Sequence, residues 1–166
     1  MSKTKNTFEV GSWVVYPSHG VGKLDDIERI EIDEDTTEFF VISFTKSKLT
    51  LKLPVKRALE AGLRKVASKD DIQNVFDTLV QKSKKRRLMW SKRAQEYETK
   101  INSGDPISIA EVVRELYKAG GDMLQSFSER QIYQQAMERL AREISVVEEI
   151  EEADAVKKLE IVLQAA

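Results

Sequence analysis

Apolar residues fall in short runs and loose alternation over the first part of the chain. From about residue 68 onward they recur at three- and four-residue spacing. The segment 12–16 (SWVVY) is β-branched and aromatic and reads as a strand, and Pro17-Ser18-His19-Gly20 reads as a turn. Residues 21–32 continue as a second strand, with Leu24, Ile27, Ile30 and Ile32 apolar. Asp33-Glu34-Asp35 predicts a hairpin tip. Residues 39–44 (FFVISF) and 49–53 (LTLKL) give two more strands, joined by Thr-Lys-Ser-Lys. Four short strands at this spacing predict a small twisted antiparallel sheet or partly open barrel.

Pro54 ends the β region, and residues 54–67 read as loop with some helical turn. Ser68 is placed as an N-cap, with Asp70 and Asp71 favouring the positive end of the helix dipole. The helix it opens runs to about Val80, with Ile72, Val75, Phe76 and Leu79 on one face. A second helix is expected over 84–102, stopping at Ser103-Gly104-Asp105-Pro106. A third is expected over 107–119, with Ser108 and Glu111 spaced as a capping box and Gly120-Gly121 as its stop. A fourth runs from Ser128 to about Val147, with Ser128 and Gln131 as a capping pair, and a fifth covers about 152–164. Strands followed by helices, without alternation, argue against a doubly wound sheet. The expected fold is α+β in two modules: a small antiparallel β-barrel over 1–66 and an all-α bundle of about five helices over 67–166.

Composition narrows the function more by exclusion than by assertion. The 166 residues contain no cysteine and one histidine, His19. Disulfides, thiolate zinc sites, iron–sulfur clusters and cysteine nucleophiles are excluded, and a lone turn histidine is a poor metal ligand. No apolar run approaches the ~18 residues of a membrane span, and residues 1–11 lack the apolar core of a secretory signal. The expectation is a cytoplasmic protein with no membrane association. Gly20-Val21-Gly22-Lys23 imitates a phosphate loop but has Pro17 and Leu24 where that motif needs glycine and a hydroxyl residue. Its glycines are read as serving a tight turn and a close backbone approach. The acidic cluster from Glu148 to Asp154 lacks the ligand spacing of a calcium loop and reads as a solvated helix junction. No catalytic residue, metal, cofactor or small-molecule substrate is expected, and the chain is not expected to be an enzyme.

The net charge of −1 conceals a strong asymmetry. Residues 82–100 carry eight basic side chains against two acidic ones, whereas 143–160 carry seven acidic against two basic. A basic segment inside a near-neutral chain can bind a polyanion locally. Its core is Lys84-Lys85-Arg86-Arg87-Leu88-Met89-Trp90-Ser91-Lys92-Arg93. The cations would neutralise phosphates in a salt-dependent manner, and a tryptophan among them could stack on an unpaired base. The spacing allows another reading. Trp90, Ala94, Tyr97 and Ile101 form a helical stripe, of which Trp90 could be the first buried member, with the charges only a solvated face. Lys46, Lys48 and Lys52 around the 49–53 strand either protect a sheet edge or meet an acidic partner.

Several stretches, in order, resemble the CarD/CdnL family of bacterial transcription regulators. They are residues 8–22 (FEVGSWVVYPSHGVG), 49–55 (LTLKLPV), Trp90-Ser91-Lys92-Arg93, Asn102-Ser103-Gly104-Asp105 and 110–116 (AEVVREL). The resemblance runs from about Phe8 to the C-terminus. It implies a Tudor-like RNA polymerase β-subunit interaction domain over 1–66 and a helical DNA-binding domain over 67–166. It further implies that Trp90 is a wedge at the upstream edge of the transcription bubble, hence exposed or half-exposed. Lys92 and Arg93 match basic positions beside that tryptophan, and Arg130 is the nearest match to a basic position on the fourth helix. The basic run, with Lys85, Arg86 and Arg87, would add phosphate contacts. On the polymerase side, Lys52 matches a basic position of the binding strand, with Leu51 beside it. Ile30 stands where a second basic contact is expected, and Arg29 is its neighbour. The implied partners are the RNA polymerase β subunit and promoter DNA near the upstream fork, with the chain read as a monomer that stabilises the open complex. The rival expectations are a non-specific nucleic-acid-binding module of KOW type and a protein–protein adaptor.

Overall fold

The structure, a computed structural model, describes residues 8–44, 47–81, 89–117 and 127–165. It divides into two compact units, Met1–Val66 and Ala67–Ala166. The first is built on a five-stranded antiparallel sheet: β1 (Trp13–Tyr16), β2 (Gly20–Ile32), β3 (Asp35–Phe44), β4 (Leu49–Pro54) and β5 (Arg64–Lys65). A short helix, α1 (Val55–Glu60), lies between β4 and β5 in the chain. The spatial order is β4-β3-β2-β1-β5, so β4 and β5 are the two ends of the ladder. The segment 54–67, expected to be loop, therefore supplies a helix and the fifth strand. Strand β5 is only two residues long and pairs with Val14 and Val15, too short to leave a periodic signal.

Two local devices shape this sheet. Strands β2 and β3 meet in a two-residue turn, Asp33-Glu34, with φ of 48° and 71° and Ile32 opposite Asp35. Positive φ at both central residues matches the right-handed twist of the flanking strands. Farther along the same pair the register shifts, with Leu24 opposite Ile42 but Asp26 opposite Val41. Asp25 is the extra residue of a bulge, and it inverts the in–out alternation of β2. Leu24 and Ile27, three apart, consequently both pack on the core formed by Val14, Phe40, Ile42, Phe44 and Leu53. Ile30 and Ile32 fall on the opposite face, where Ile32 is exposed.

Gly22 has a steric role. A Cβ there would stand 2.7 Å from Phe44 Cε1 and 2.8 Å from Ile42 Cγ2, both buried. Gly20, at φ +85°, makes the β1–β2 turn. The false phosphate motif is thus one turn glycine and one glycine over which β3 side chains pass. His19 is a local turn residue, 3.1 Å from the Ser18 hydroxyl through Nδ1 and beside the rings of Tyr16 and Phe44.

The second unit holds α2 (Lys69–Leu79), α3 (Trp90–Asn102), α4 (Pro106–Leu116), α5 (Phe127–Glu148) and α6 (Glu152–Ala165). Helix α2 opens with a capping box, in which the Asp71 N–H donates to Ser68 Oγ and the Ser68 N–H to Asp71 Oδ2. Two expected caps are corrected. Helix α4 is capped by Asp105, whose Oδ2 accepts from both the N–H and the hydroxyl of Ser108, with Pro106 at the first helical position. Glu111 does not reach back to a cap; it pairs with Lys100 at 2.9 Å. Helix α5 already includes Phe127, so Ser128 is a helical residue and not the cap. The predicted Gly120-Gly121 stop and residues 84–88 of the second helix lie outside the described residues; α3 begins at Trp90, and α4 ends at Leu116.

Helix α4 is central, packed against α2, α3 and α5, with Ile109, Ala110, Val112, Val113 and Leu116 buried. Several buried polar groups in this unit are bonded, while Arg93 Nε and Arg114 Nε are buried with no hydrogen-bond partner. Glu143, 4 % exposed on α5, accepts the Ala67 N–H at 2.6 Å and so anchors the backbone just before α2. Arg114 and Glu115 pair at 3.1 Å with both side chains buried. Arg139 donates to the Ile101 carbonyl at 3.3 Å near the end of α3, and burial lowers its pKa from the ordinary arginine value, with Glu138 acting in the opposite direction. Among the described residues, no helix is long and apolar enough to cross a membrane.

Candidate functional site

The first turn of α3 gathers the aromatic and basic residues singled out in the sequence. Met89 sits at the cap position with extended backbone (φ −60°, ψ 148°) and offers no capping side chain. The turn is closed by the Arg93 N–H donating to the Met89 carbonyl at 3.0 Å. Trp90, the first helical residue, is half-buried. Its ring centroid lies 6.2 Å from that of Tyr97, and it packs against the core that includes Tyr97 and Ile101. The two readings of the stripe therefore merge: Tyr97 and Ile101 are buried, whereas Trp90 and Ala94 belong to the stripe but keep part of their surface in solvent.

The two cations that follow the tryptophan have different surroundings. Lys92 is exposed. The Arg93 guanidinium lies 5.4 Å from the Trp90 ring centroid and 5.7 Å from that of Tyr97, and its Nη2 donates to Tyr97 Oη at 3.2 Å. Arg93 Nε is buried with no hydrogen-bond partner. Arg130 is exposed in the first turn of α5. Lys85, Arg86 and Arg87 lie outside the described residues.

Sequence reasoning missed Met89, which is 75 % exposed immediately before the tryptophan. The available signal was the apolar triplet Leu88-Met89-Trp90 inside a basic run, where a merely solvated face would carry no such triplet. An exposed thioether next to the tryptophan in sequence adds apolar surface at the start of α3, and methionine is among the residues that wedge between base steps. Beside Arg93, a groove of about 730 Å³ is also lined by Gln81, Tyr97, Lys100, Glu111 and Arg114. Its charges are largely satisfied internally, by Lys100 with Glu111 and Arg114 with Glu115.

In the first unit, the three candidate contact residues do not share a face. Leu51 is opposite Ile42 and packs against the core. Lys52, one residue on, points to the other face, where it pairs with Glu28 at 2.8 Å. Arg29 follows Glu28 and so points away from both Glu28 and Ile30. It pairs with Glu38, its cross-strand neighbour, at 2.9 Å and remains largely exposed. Arg29 therefore does not stand where a side chain at position 30 would. It lines a shallow groove with Thr36, Pro54, Val55 and Lys56. Strand β4, which carries Leu51 and Lys52, is the end of the ladder beyond β3. Lys48 precedes it with φ +54°, and Lys46 is outside the described residues.

Among the described residues no group of three histidine, cysteine, aspartate or glutamate side chains could hold a metal ion. In the acidic segment, Glu148 pairs with Lys158 at 2.6 Å and Glu152 with Arg142 at 3.9 Å, and Glu149 takes φ 59° at the α5–α6 junction.

Two family models match the chain. Residues 8–67 match the CarD-like/TRCF RID domain, and residues 74–160 match the CarD C-terminal domain. A Bacillus subtilis (strain 168) protein named "Putative transcription factor YdeB" is 29% identical over 145 residues, covering 87% of this chain and 95% of that protein.

Proposed function

The chain belongs to the CarD family, and on that premise we propose that it is a non-enzymatic transcription regulator that binds RNA polymerase with its first unit and promoter DNA with its second, holding the open complex. The observation that carries the reading is the apolar tip at the start of α3. An indole braced on Tyr97 and Arg93 keeps part of its surface in solvent, with exposed Met89 before it and exposed Lys92 after it. Such a tip can occupy the step between the last paired and first unpaired bases. Lys85, Arg86 and Arg87, in the basic run that precedes it in the sequence, and Arg130 on α5 would meet phosphates. Because the unstacking cost is already met at an open fork, the tip favours the open state over closed duplex. A differential affinity of about 1–3 kcal/mol shifts the opening equilibrium roughly five- to 150-fold. Sequence preference is expected to be low, since the contacts proposed are to backbone and to a stacking surface.

For the first unit, β4 as the end of the ladder supports docking by strand addition to the polymerase β subunit, with Lys52 meeting acidic side chains beside the new strand. Arg29 would contribute from the opposite face, at the groove beside Pro54 and Val55. The test is the lifetime of promoter open complexes formed by cognate polymerase alone, with this protein, and with its Trp90→Ala variant. The expected result is a longer lifetime that the variant largely loses. No effect of the wild-type chain would overturn the reading in favour of an adaptor. Equal effects of both forms would remove the wedge from it.

A further inference from the structure

We propose that Arg93 is a positioning residue for the Trp90 ring and not a phosphate ligand, so that Lys92 and Arg93, adjacent and alike in charge, do different things. The proposal deepens the DNA-binding reading above and rests on it for its functional consequence.

Helix geometry separates the two cations first. Arg93 lies three residues after Trp90 and four before Tyr97, so these three share one side of α3, whereas Lys92 is turned away from it and exposed. The three groups close a triangle: 5.4 Å from guanidinium to Trp90, 5.7 Å from guanidinium to Tyr97 and 6.2 Å between the rings. Tyr97 is only 7 % exposed and belongs to the core, so it is the fixed corner. Arg93 is tied to it by the Nη2–Oη hydrogen bond of 3.2 Å, and its Nε is shut away from solvent. The Nε–H and one N–H of Nη2 are thus committed away from any phosphate.

Trp90 needs such a brace. It is the first residue of a helix whose cap position, Met89, supplies no side-chain hydrogen bond, and the first turn of a helix is where fraying begins. A ring held in one orientation before binding loses less freedom on insertion, so the brace raises affinity for the fork without touching DNA. A planar guanidinium can lie against two rings and hydrogen-bond in its own plane. An ammonium cannot, which makes lysine a poor substitute here though an adequate one at a phosphate.

The experiment uses the full-length chain carrying Trp13→Phe, which leaves Trp90 as the single tryptophan. Arg93→Lys, Arg93→Gln and Tyr97→Phe are made in it. Ring motion is read without DNA, from time-resolved fluorescence anisotropy and acrylamide quenching. Binding is then read as log affinity against log salt for a bubble-containing duplex and for an intact one. Arg93→Lys is expected to increase fast ring motion and quenching. It should lower bubble affinity about three- to tenfold, the scale of lost stacking and cation–π contacts, while leaving the salt slope and intact-duplex affinity unchanged. In a Trp90→Ala background it should cost nothing further. Tyr97→Phe, which keeps the core and removes only the hydroxyl, should reproduce part of the effect. The proposal is overturned if Arg93→Lys matches the parent in ring motion and binding. It is equally overturned if Arg93→Gln lowers the salt slope by about one phosphate's worth on both duplexes and lysine restores it. If the parent does not distinguish bubble from duplex, the DNA-binding reading fails, and the anisotropy alone decides whether Arg93 holds the ring.

Discussion

Gly22→Ala is the substitution whose cost the structure specifies most directly. The added methyl would come within 2.7 Å and 2.8 Å of Phe44 Cε1 and Cδ1 and within 2.8 Å of Ile42 Cγ2. Real Cβ atoms do not approach so closely, and neither neighbour is a flexible surface side chain: Phe44 and Ile42 are both buried in the core of the first unit. Relief requires β3 to move away from β2 or Phe44 to leave its rotamer. Overpacking of this kind costs about 1–3 kcal/mol, against which replacing a strand glycine by alanine recovers about 0.5–1 kcal/mol. With both neighbours buried the cost falls in the upper half of that range, and the expected net loss is about 1–2.5 kcal/mol. For a unit of this size that corresponds to a fall in midpoint of roughly 4–20 °C, at about 4–8 °C per kcal/mol. Thermal and urea melts followed by Trp13 fluorescence, in a Trp90→Phe background, report on the sheet, because Trp13 pairs with Lys23 directly beside Gly22. The paired variant Gly22→Ala with Phe44→Leu removes the ring edge that clashes, and is expected to cost less than the sum of the two single changes. An unchanged or raised midpoint for Gly22→Ala would refute the steric argument. A selective loss of anion binding without loss of stability would revive the phosphate-loop reading of the same residues.

Asp105→Ala removes the α4 cap that accepts two hydrogen bonds from Ser108, and is expected to destabilise the helical unit by about 1 kcal/mol in urea melts; Glu111→Ala should not imitate it. Glu143→Ala leaves the Ala67 N–H without its carboxylate and is expected to cost about 1.5–3 kcal/mol, with amide exchange at Ala67 accelerated in the native state. Lys52→Ala breaks an ion pair whose side chains are 51% and 38% exposed, so its effect on stability should stay under about 0.5 kcal/mol. In a polymerase pull-down the same variant is expected to weaken capture. A large change in stability with capture unaffected would reverse that assignment.

Much of the architecture was legible from local rules. The change of period near Ser68, Ser68 as the N-cap of α2 and the stripe through Tyr97 and Ile101 all rest on interactions within a few residues, and all appear in the structure, where Asp71 also completes a capping box. Where two local signals competed, the geometry chose between them. Asp105 caps α4 in preference to Ser108 because the carboxylate, three residues before, can accept both the N–H and the hydroxyl of that serine. Strand β5 left no trace because two residues carry no period. Its existence depends on Val14 and Val15, about fifty residues earlier, offering their edge.

The candidate site divides along the same line. That Trp90 lies in a basic segment, and that residues 90, 94, 97 and 101 recur on one face of a helix, could be read from spacing alone. How much of the ring stays in solvent, and that Arg93 turns back onto two aromatic faces while Lys92 does not, required the packed helix. The same holds for the sheet. The run of apolar residues announces a strand over 21–32, but the bulge at Asp25 decides that Ile27 faces the core, Ile30 faces away, and Arg29 cannot stand in for a cation at position 30. Periodicity and capping are settled by neighbours along the chain. Face, edge and burial are settled by whichever distant strand or helix comes to lie against them, and that information is distributed over pairs of residues that no local window contains.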